Sequence, residues 1–325
     1  MMPKIELHLH LEGAAPPAFI RGLAKEKHVD ISGIFDERGN YVYNGFEEFL
    51  AVYEAATSVL QTPDDFARLV TAVLDQSAEQ GVIYSETFLS PDFCGNADVA
   101  AWREYLHAMQ EAADRAERLN GITLRGIVTA IRHFGPERAK PVALCAAETV
   151  GGFITGFGIA GAELMGRPRD FAYSFDLARE AGLRLTAHAG EWGGPDMVAD
   201  TIRDLGVERI GHGINAIKDL ALCEQIAEAG ITLEVCPGSN VALGAVKGWK
   251  HHPIRKLRER GVRVTVSTDD PPFFHTTMTR EYQMLAEVLG FEDEELMDMN
   301  RIALEAAFCD PETRARIAKK LEPAT

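Results

Sequence analysis

The sequence predicts a (β/α)8 barrel, a TIM-barrel arrangement of parallel strands each followed by helix, and three observations carry that prediction. Eight short apolar, β-branched runs recur along the 325 residues. Stretches with apolar residues at three- and four-residue spacing lie between them, and several of these stop on a glycine just before the next run.

The strand-like runs are residues 5–11, 82–89, 123–131, 153–159, 183–187, 209–211, 231–235 and 262–267. Most lack strict alternation, as expected of parallel strands covered on both faces. Helix-like stretches occupy 66–80, 102–119, 171–181, 197–205, 220–229 and 253–260, with Gly81, Gly182, Gly206, Gly230 and Gly261 where each of five would stop. The segment from 16 to 80 is longer than one helix needs, and its middle carries Tyr41, Tyr43, Phe46, Phe49 and Tyr53. Extra helices over the barrel mouth are expected there. A packed helical hairpin with no functional role is the alternative, because aromatic residues at helical spacing serve a core equally well. Two more helices are expected at the C-terminus, at 279–289 and 292–308. No linker, repeat or low-complexity run divides the chain, so one domain over residues 1–325 is expected.

Composition narrows the function. With 46% hydrophobic and 25% charged residues, the chain has an ordinary globular balance and a core that needs no structural metal. A metal must therefore be justified by chemistry. The net charge of −16 is opposite to what a nucleic-acid binder or an anionic membrane requires, and suits a neutral small molecule. The five cysteines, Cys94, Cys145, Cys223, Cys236 and Cys309, are odd in number and lack C-x-x-C spacing. Neither a disulfide framework nor a cysteine zinc site is indicated, and a reducing cytoplasm is the expected compartment. The opening MMPKIELHLH has no apolar signal core, and no run approaches the roughly 20 apolar residues that span a membrane.

Catalytic groups of such a barrel project from the C-terminal ends of its strands. Those ends carry His8-Leu9-His10, His188 with Glu191, His212 between two glycines, and Asp269-Asp270. His-x-His on a strand puts both imidazoles on one side, since side chains alternate. Alone the pair is weak, because an exposed pair on an edge strand would do nothing. A third histidine and an aspartate from other strand ends complete three imidazole nitrogens and one carboxylate, a good donor set for Zn²⁺. A bound ion brings the pKa of water from about 15.7 to near 7 and so supplies hydroxide. His212 and Asp270 have the chemistry to take or hold the water's proton, and Glu191 to donate one to a ring nitrogen. Glu191 could instead cap a helix near Gly194-Pro195, and Asp270 one near Pro271-Pro272.

PKIELHLHLEGA, HAGE, RIGHG and STDDP, in that order, resemble the adenosine and adenine deaminase branch of the amidohydrolases, over nearly the whole chain. The resemblance implies one zinc per chain, held by His8, His10, His188 and Asp269. It implies Glu191 as proton donor to purine N1, with His212 and Asp270 orienting and deprotonating the attacking water and Asp270 also meeting N7. Residues 156–163 are similar to the segment whose glycine amide meets purine N3, here Gly161. Phe49, Leu50 and Tyr53 are similar to a hydrophobic lid, and His10 and Ser90 would also face the substrate.

His-x-His at residue 8 leaves no room for the β-sandwich that precedes the barrel in many amidohydrolases. Residues 153–161 lack the lysine of the two-metal members. Zinc deaminases of the H-x-E…P-C-x-x-C type are excluded by the missing C-x-x-C. Glu12 stands where adenosine deaminases commonly have an aspartate that contacts the ribose, and glutamate is usual in adenine-specific relatives. The segments around Gly161, GEWGGP and STDDPPFF look closer to bacterial enzymes acting on adenosine. The expectation is hydrolytic deamination of adenosine and deoxyadenosine to inosine and ammonia. The alternatives are adenine to hypoxanthine, or a modified adenosine. Three rivals are a multi-metal phosphoesterase, a deaminase of another heterocycle, and a non-enzymatic zinc protein, which would lack one of Glu191, His212 or Asp270, all three present here.

Overall fold

The apolar runs form eight strands: β1 Lys4–His10, β2 Val82–Leu89, β3 Thr123–Ile131, β4 Ile154–Ala160, β5 Arg184–Ala189, β6 Arg209–His212, β7 Thr232–Val235 and β8 Arg263–Val266. They belong to a computed structural model that describes residues 2–321; residues 1 and 322–325 of the expected domain lie outside the described residues. The strands follow one another in sequence order and every neighbouring pair is parallel. The last returns to the first beyond its own end: Leu9 bridges Asp269, His10 N–H donates to Asp269 C=O at 3.0 Å, and Asp269 N–H donates to His8 C=O at 3.1 Å. Lower on the same seam, Ser267 Oγ accepts the amides of Leu7 and His8, each at 3.2 Å. The eight strands thus make a (β/α)8 barrel whose closure runs through the His-x-His and Asp-Asp segments.

The runs at 82–89 and 123–131 coincide with β2 and β3, and elsewhere strand ends move by one or two residues. Ladder pairing, not apolarity, sets those ends. The helices are α1 Pro17–Lys27, α2 Gly45–Thr57, α3 Pro63–Glu79, α4 Val99–Asn120, α5 Pro136–Ala147, α6 Ala172–Glu180, α7 Pro195–Leu205, α8 Leu220–Glu228, α9 Pro237–Ala242, α10 Ile254–Glu259, α11 Met278–Leu289, α12 Asp293–Ala306 and α13 Pro311–Leu321. Glycine stops operate as expected at the end of α7, where Gly206 takes the left-handed conformation and returns its N–H to Ile202. Helices α5, α9 and α13 are absent from the sequence expectation. In α5, Pro141 lies inside the helix and breaks the apolar period. Burial of Val142, Ala143, Cys145 and Ala146 outweighs the lost hydrogen bond.

A register shift between Glu6 and Leu9 breaks the alternation of β1: His8 and His10 face the barrel interior, Glu6 accepts from Thr268 and faces Val73, Gln76 and Met278 outside it, and Ile5 and Leu7 pack with Tyr84, Ala307 and Cys309. The lower barrel holds charge as well as hydrocarbon. Arg209 meets Glu86 at 2.7 Å and Glu234 at 2.6 Å, donates to Ala306 C=O at 3.1 Å, and lies 3.6 Å over the Phe308 ring. All three charged side chains are essentially fully buried, so each ion depends on its partners. No described helix is long and apolar enough to cross a membrane, and all five cysteines are free and buried.

Arg209→Met should destabilise the protein by about 3–5 kcal/mol, because it strands two buried carboxylates. Chemical denaturation monitored by circular dichroism measures this. A loss below about 1 kcal/mol would contradict the charge-filled base.

Candidate active site

The barrel seam delivers donor atoms of His8, His10 and Asp269, and β5 that of His188, to one point at the C-terminal ends of the strands. His10 Nε2 lies 3.2 Å from His188 Nε2, and both His8 Nε2 and His10 Nε2 lie 3.3 Å from Asp269 Oδ1. A tetrahedral zinc with bonds of about 2.0–2.1 Å has ligand-to-ligand edges of about 3.3 Å. His8 Nε2 is buried and makes no hydrogen bond. The donor set therefore fits the ion that the sequence calls for. His212 also falls in a close group with His8, His188 and Asp269, but its Nε2 is 3.9 Å from Asp269 Oδ2.

Surrounding residues aim these donors. His8 Nδ1 faces Glu234 Oε2 at 2.8 Å, so its proton goes to the carboxylate and leaves the Nε2 lone pair toward the site. Ser239 Oγ donates to Asp269 Oδ2 at 2.6 Å, leaving Oδ1 for an ion. Burial raises the Asp269 carboxyl, but the neighbouring imidazoles of His10, His8 and His212 outweigh it and hold the group well below its usual range. Two residues here adopt left-handed backbone: His212 at φ 61° and Asp269 at φ 68°. Such strain costs about 1–3 kcal/mol per residue and collects at functional sites. Gly211 is required by space, since a Cβ there would sit 2.8 Å from His8 Cε1 and 3.2 Å from His188 Cγ.

Glu191, His212 and Asp270 join this group. Glu191 is not a helix cap: α7 begins on Gly194 with no side-chain cap. Its turn after β5 is clamped by Glu163, which accepts the amides of Gly190, Glu191 and Trp192 at 2.5, 3.1 and 2.8 Å. Asn215 Nδ2 donates to the carbonyls of Glu191 and Gly193 at 3.0 and 2.9 Å. Burial, then the charges of Asp269 and Glu163, push Glu191 well above the usual carboxyl range, which keeps it a neutral acid. Burial and the neighbouring Asp269 and Glu191 raise Asp270 in the same way. Asp270 also caps no helix; the next one, α11, is capped by Thr277. Burial pushes His212 down to about 3, so the imidazole is neutral.

Above this floor lies a cavity open to solvent, about 610 Å³ with the open space of its mouth included. Phe46, Phe49, Leu50 and Tyr53 of α2, with Phe93 and Leu243, form its apolar wall, and Gly161 and His10 also line it. Phe49 packs on Phe273 and Phe274 at 5.4 and 5.3 Å, and Tyr41 stacks on Phe273 at 3.9 Å. The aromatic cluster is thus both core and cavity wall, so the two expectations for it are not exclusive. Glu12 and Ser90 do not line the cavity. Both are buried, and Glu12 Oε2 meets Tyr53 Oη at 3.3 Å from behind the wall. Burial brings the Glu12 carboxyl up to about 7. Glu163, Glu234, Ser239 and Asn240 were not singled out from the sequence. The end of the seventh strand carries three of them but no histidine, so it offered no signal.

A His/Asp group fit for a metal at the C-terminal mouth of a (β/α)8 barrel is the arrangement of an amidohydrolase. The adenosine deaminase family model matches residues 3–324, and the chain belongs to that family. It is a hydrolase of the deaminase type. Adenine deaminase of Rhizobium leguminosarum bv. trifolii is 47% identical over 320 residues, covering 98% of this chain and 99% of its own. The crystal structure of adenine deaminase from Arthrobacter aurescens superposes with a TM-score of 0.91 at 29% identity, covering 99% of this chain and 98% of its own. An amidohydrolase from Burkholderia ambifaria, solved with bound zinc, gives 0.87 at 26% identity, covering 98% of this chain and 89% of its own.

Gly211→Ala should displace His8 and His188 and weaken metal binding by about 10–100-fold with the fold intact. Metal content after dialysis against a buffered zinc series, with circular dichroism as control, checks this. Unchanged affinity would show that the two imidazoles are not confined as described.

Proposed function

We propose that the protein is a zinc-dependent adenine deaminase, which converts adenine and water to hypoxanthine and ammonia. The observation that carries the substrate is the name shared by relatives 42–47% identical over nearly their whole length, adenine deaminase in each case. The cavity agrees with it. Away from the floor, its wall is aromatic and aliphatic, and the polar side chains on it are Glu54 and His133, 3.6 Å apart, with the Tyr53 hydroxyl turned to Glu12. A ribose would leave hydroxyls against hydrocarbon, at a cost for each one unpaired. The sequence reading favoured adenosine; the relatives and this wall favour its alternative, free adenine.

A zinc ion held by His8, His10, His188 and Asp269 would supply hydroxide at neutral pH, by lowering the pKa of bound water to about 7. Attack at purine C6 breaks the N1–C6 double bond, and N1 must then gain a proton. Glu191, neutral because it is buried, donates that proton. Asp270, whose environment raises its affinity for protons, takes the water's proton and passes it to the departing amino group. Neutral His212 holds the developing oxygen charge. The Gly161 amide, at the rim, would meet purine N3. The cavity wall excludes bulk water from this floor.

Turnover followed by the purine ultraviolet absorbance should give a kcat/KM for adenine at least ~100-fold above that for adenosine. Equal or better use of adenosine would refute the substrate. Glu191→Gln should retain the metal and lose about 10²–10⁴-fold in kcat. Turnover near that of the parent would refute its role as acid.

A further inference from the structure

Asn240 is fully buried between the site and a second histidine that no step above uses. Its Nδ2 lies 3.1 Å from His212 Nδ1 and 3.3 Å from Glu191 Oε1. Its Oδ1 lies 3.2 Å from His252 Nε2. His252 is buried in turn, and its Nδ1 accepts the amide N–H of Ile254 at 3.2 Å. A neutral imidazole that accepts at Nδ1 carries its proton on Nε2. His252 therefore donates to Asn240 Oδ1, which fixes which end of the amide faces which neighbour. The NH2 end must face the site, with one hydrogen for each of two acceptors, Glu191 Oε1 and His212 Nδ1.

We propose that His252 and Asn240 form a relay that sets the tautomer of His212, with its proton on Nε2 facing the reacting centre. The relay rests on the proposed roles of Glu191 and His212 and adds what positions them. His212 Nδ1 accepts from Asn240, so Nε2 bears the hydrogen and donates toward the oxygen at the attacked carbon. Glu191 Oε1 accepts from the same amide, which leaves Oε2, 3.8 Å from His212 Nε2, as the oxygen that carries the acid proton. One side-chain amide thus orients both donors.

The contrast with His8 shows what the relay accomplishes. His8 Nδ1 faces a carboxylate, Glu234, which only accepts, and its Nε2 is left as a lone pair suited to a metal. His212 Nδ1 faces an amide N–H, which only donates, and its Nε2 is left as a hydrogen-bond donor unfit to ligate. Two imidazoles whose ring centroids are 4.9 Å apart are given opposite tautomers by opposite partners. This separates His212 from the ligand set, although it lies close to His8, His188 and Asp269. Asn240 and His252 are positioning residues; neither reaches the cavity floor.

The test is the ring ¹⁵N spectrum of zinc-loaded protein labelled at histidine, with His212 assigned by its loss in His212→Gln. Protonated Nε2 and unprotonated Nδ1 in the parent protein support the relay, and the reverse pattern overturns it. This readout needs no substrate, so it stands or falls separately from the proposed reaction. His252→Phe should give a mixture of His212 tautomers and lower kcat by about 10–100-fold, with KM and metal content little changed. His252→Gln, which restores an N–H donor at the place of Nε2, should return His212 to the Nε2–H form. A pure Nε2–H form with parental kcat in His252→Phe would overturn the proposal. If that variant does not fold, the parental spectrum still decides.

Discussion

The convergence of three imidazole nitrogens and one carboxylate oxygen on a point is the constraint on which this molecule turns. Lone pairs 3.2–3.3 Å apart in a buried pocket repel one another, and a cation reconciles them. The fold is organised to sustain that arrangement. The barrel closes through His8, His10 and Asp269, so the same hydrogen bonds that join first and last strands also fix three of the four donors. Left-handed backbone at Asp269 and His212 is tolerated because both residues are held by neighbouring strands.

Beneath the donors, polarity is graded. Arg209 holds Glu234, Glu234 holds His8, and His8 faces the site. The positive charge deep in the barrel keeps Glu234 below its ordinary carboxyl range in spite of burial, so it stays an acceptor for the His8 proton. Around the rim the logic is reversed. Glu191 and Asp270 have no such cation: Glu191 is driven toward its neutral form, and Asp270 gains a raised affinity for protons. One pocket thereby contains an ionised carboxylate fit for a metal, a neutral acid able to give a proton and a carboxyl group ready to take one, distinguished by their surroundings alone.

Much of this was legible in the sequence because strand ends report on space. Period-two alternation put His8 and His10 on one side, and barrel topology gathered His188, Glu191, His212, Asp269 and Asp270 at the same mouth. What escaped depends on proximity between distant segments. Glu234 lies 226 residues from His8, and its chemistry as a partner is invisible until the barrel closes. Glu163 acts through hydrogen bonds to the amides of a turn, and Asn240 through the side chains of Glu191, His212 and His252, which only the folded barrel brings together. Glu12 and Ser90 were expected against substrate; both are buried, and Glu12 accepts from the hydroxyl of Tyr53, itself a residue of the cavity wall. Helix α5 was hidden by Pro141, whose local cost is overridden by packing.

The most direct measurement is a crystal structure of the zinc-loaded protein with anomalous data at the zinc edge. One ion per chain is expected, about 2.0–2.2 Å from Nε2 of His8, His10 and His188 and from Asp269 Oδ1, with His212 outside the coordination sphere. An ion that takes His212 in place of His10, or a pair of ions in the site, would contradict the reading of these residues given above.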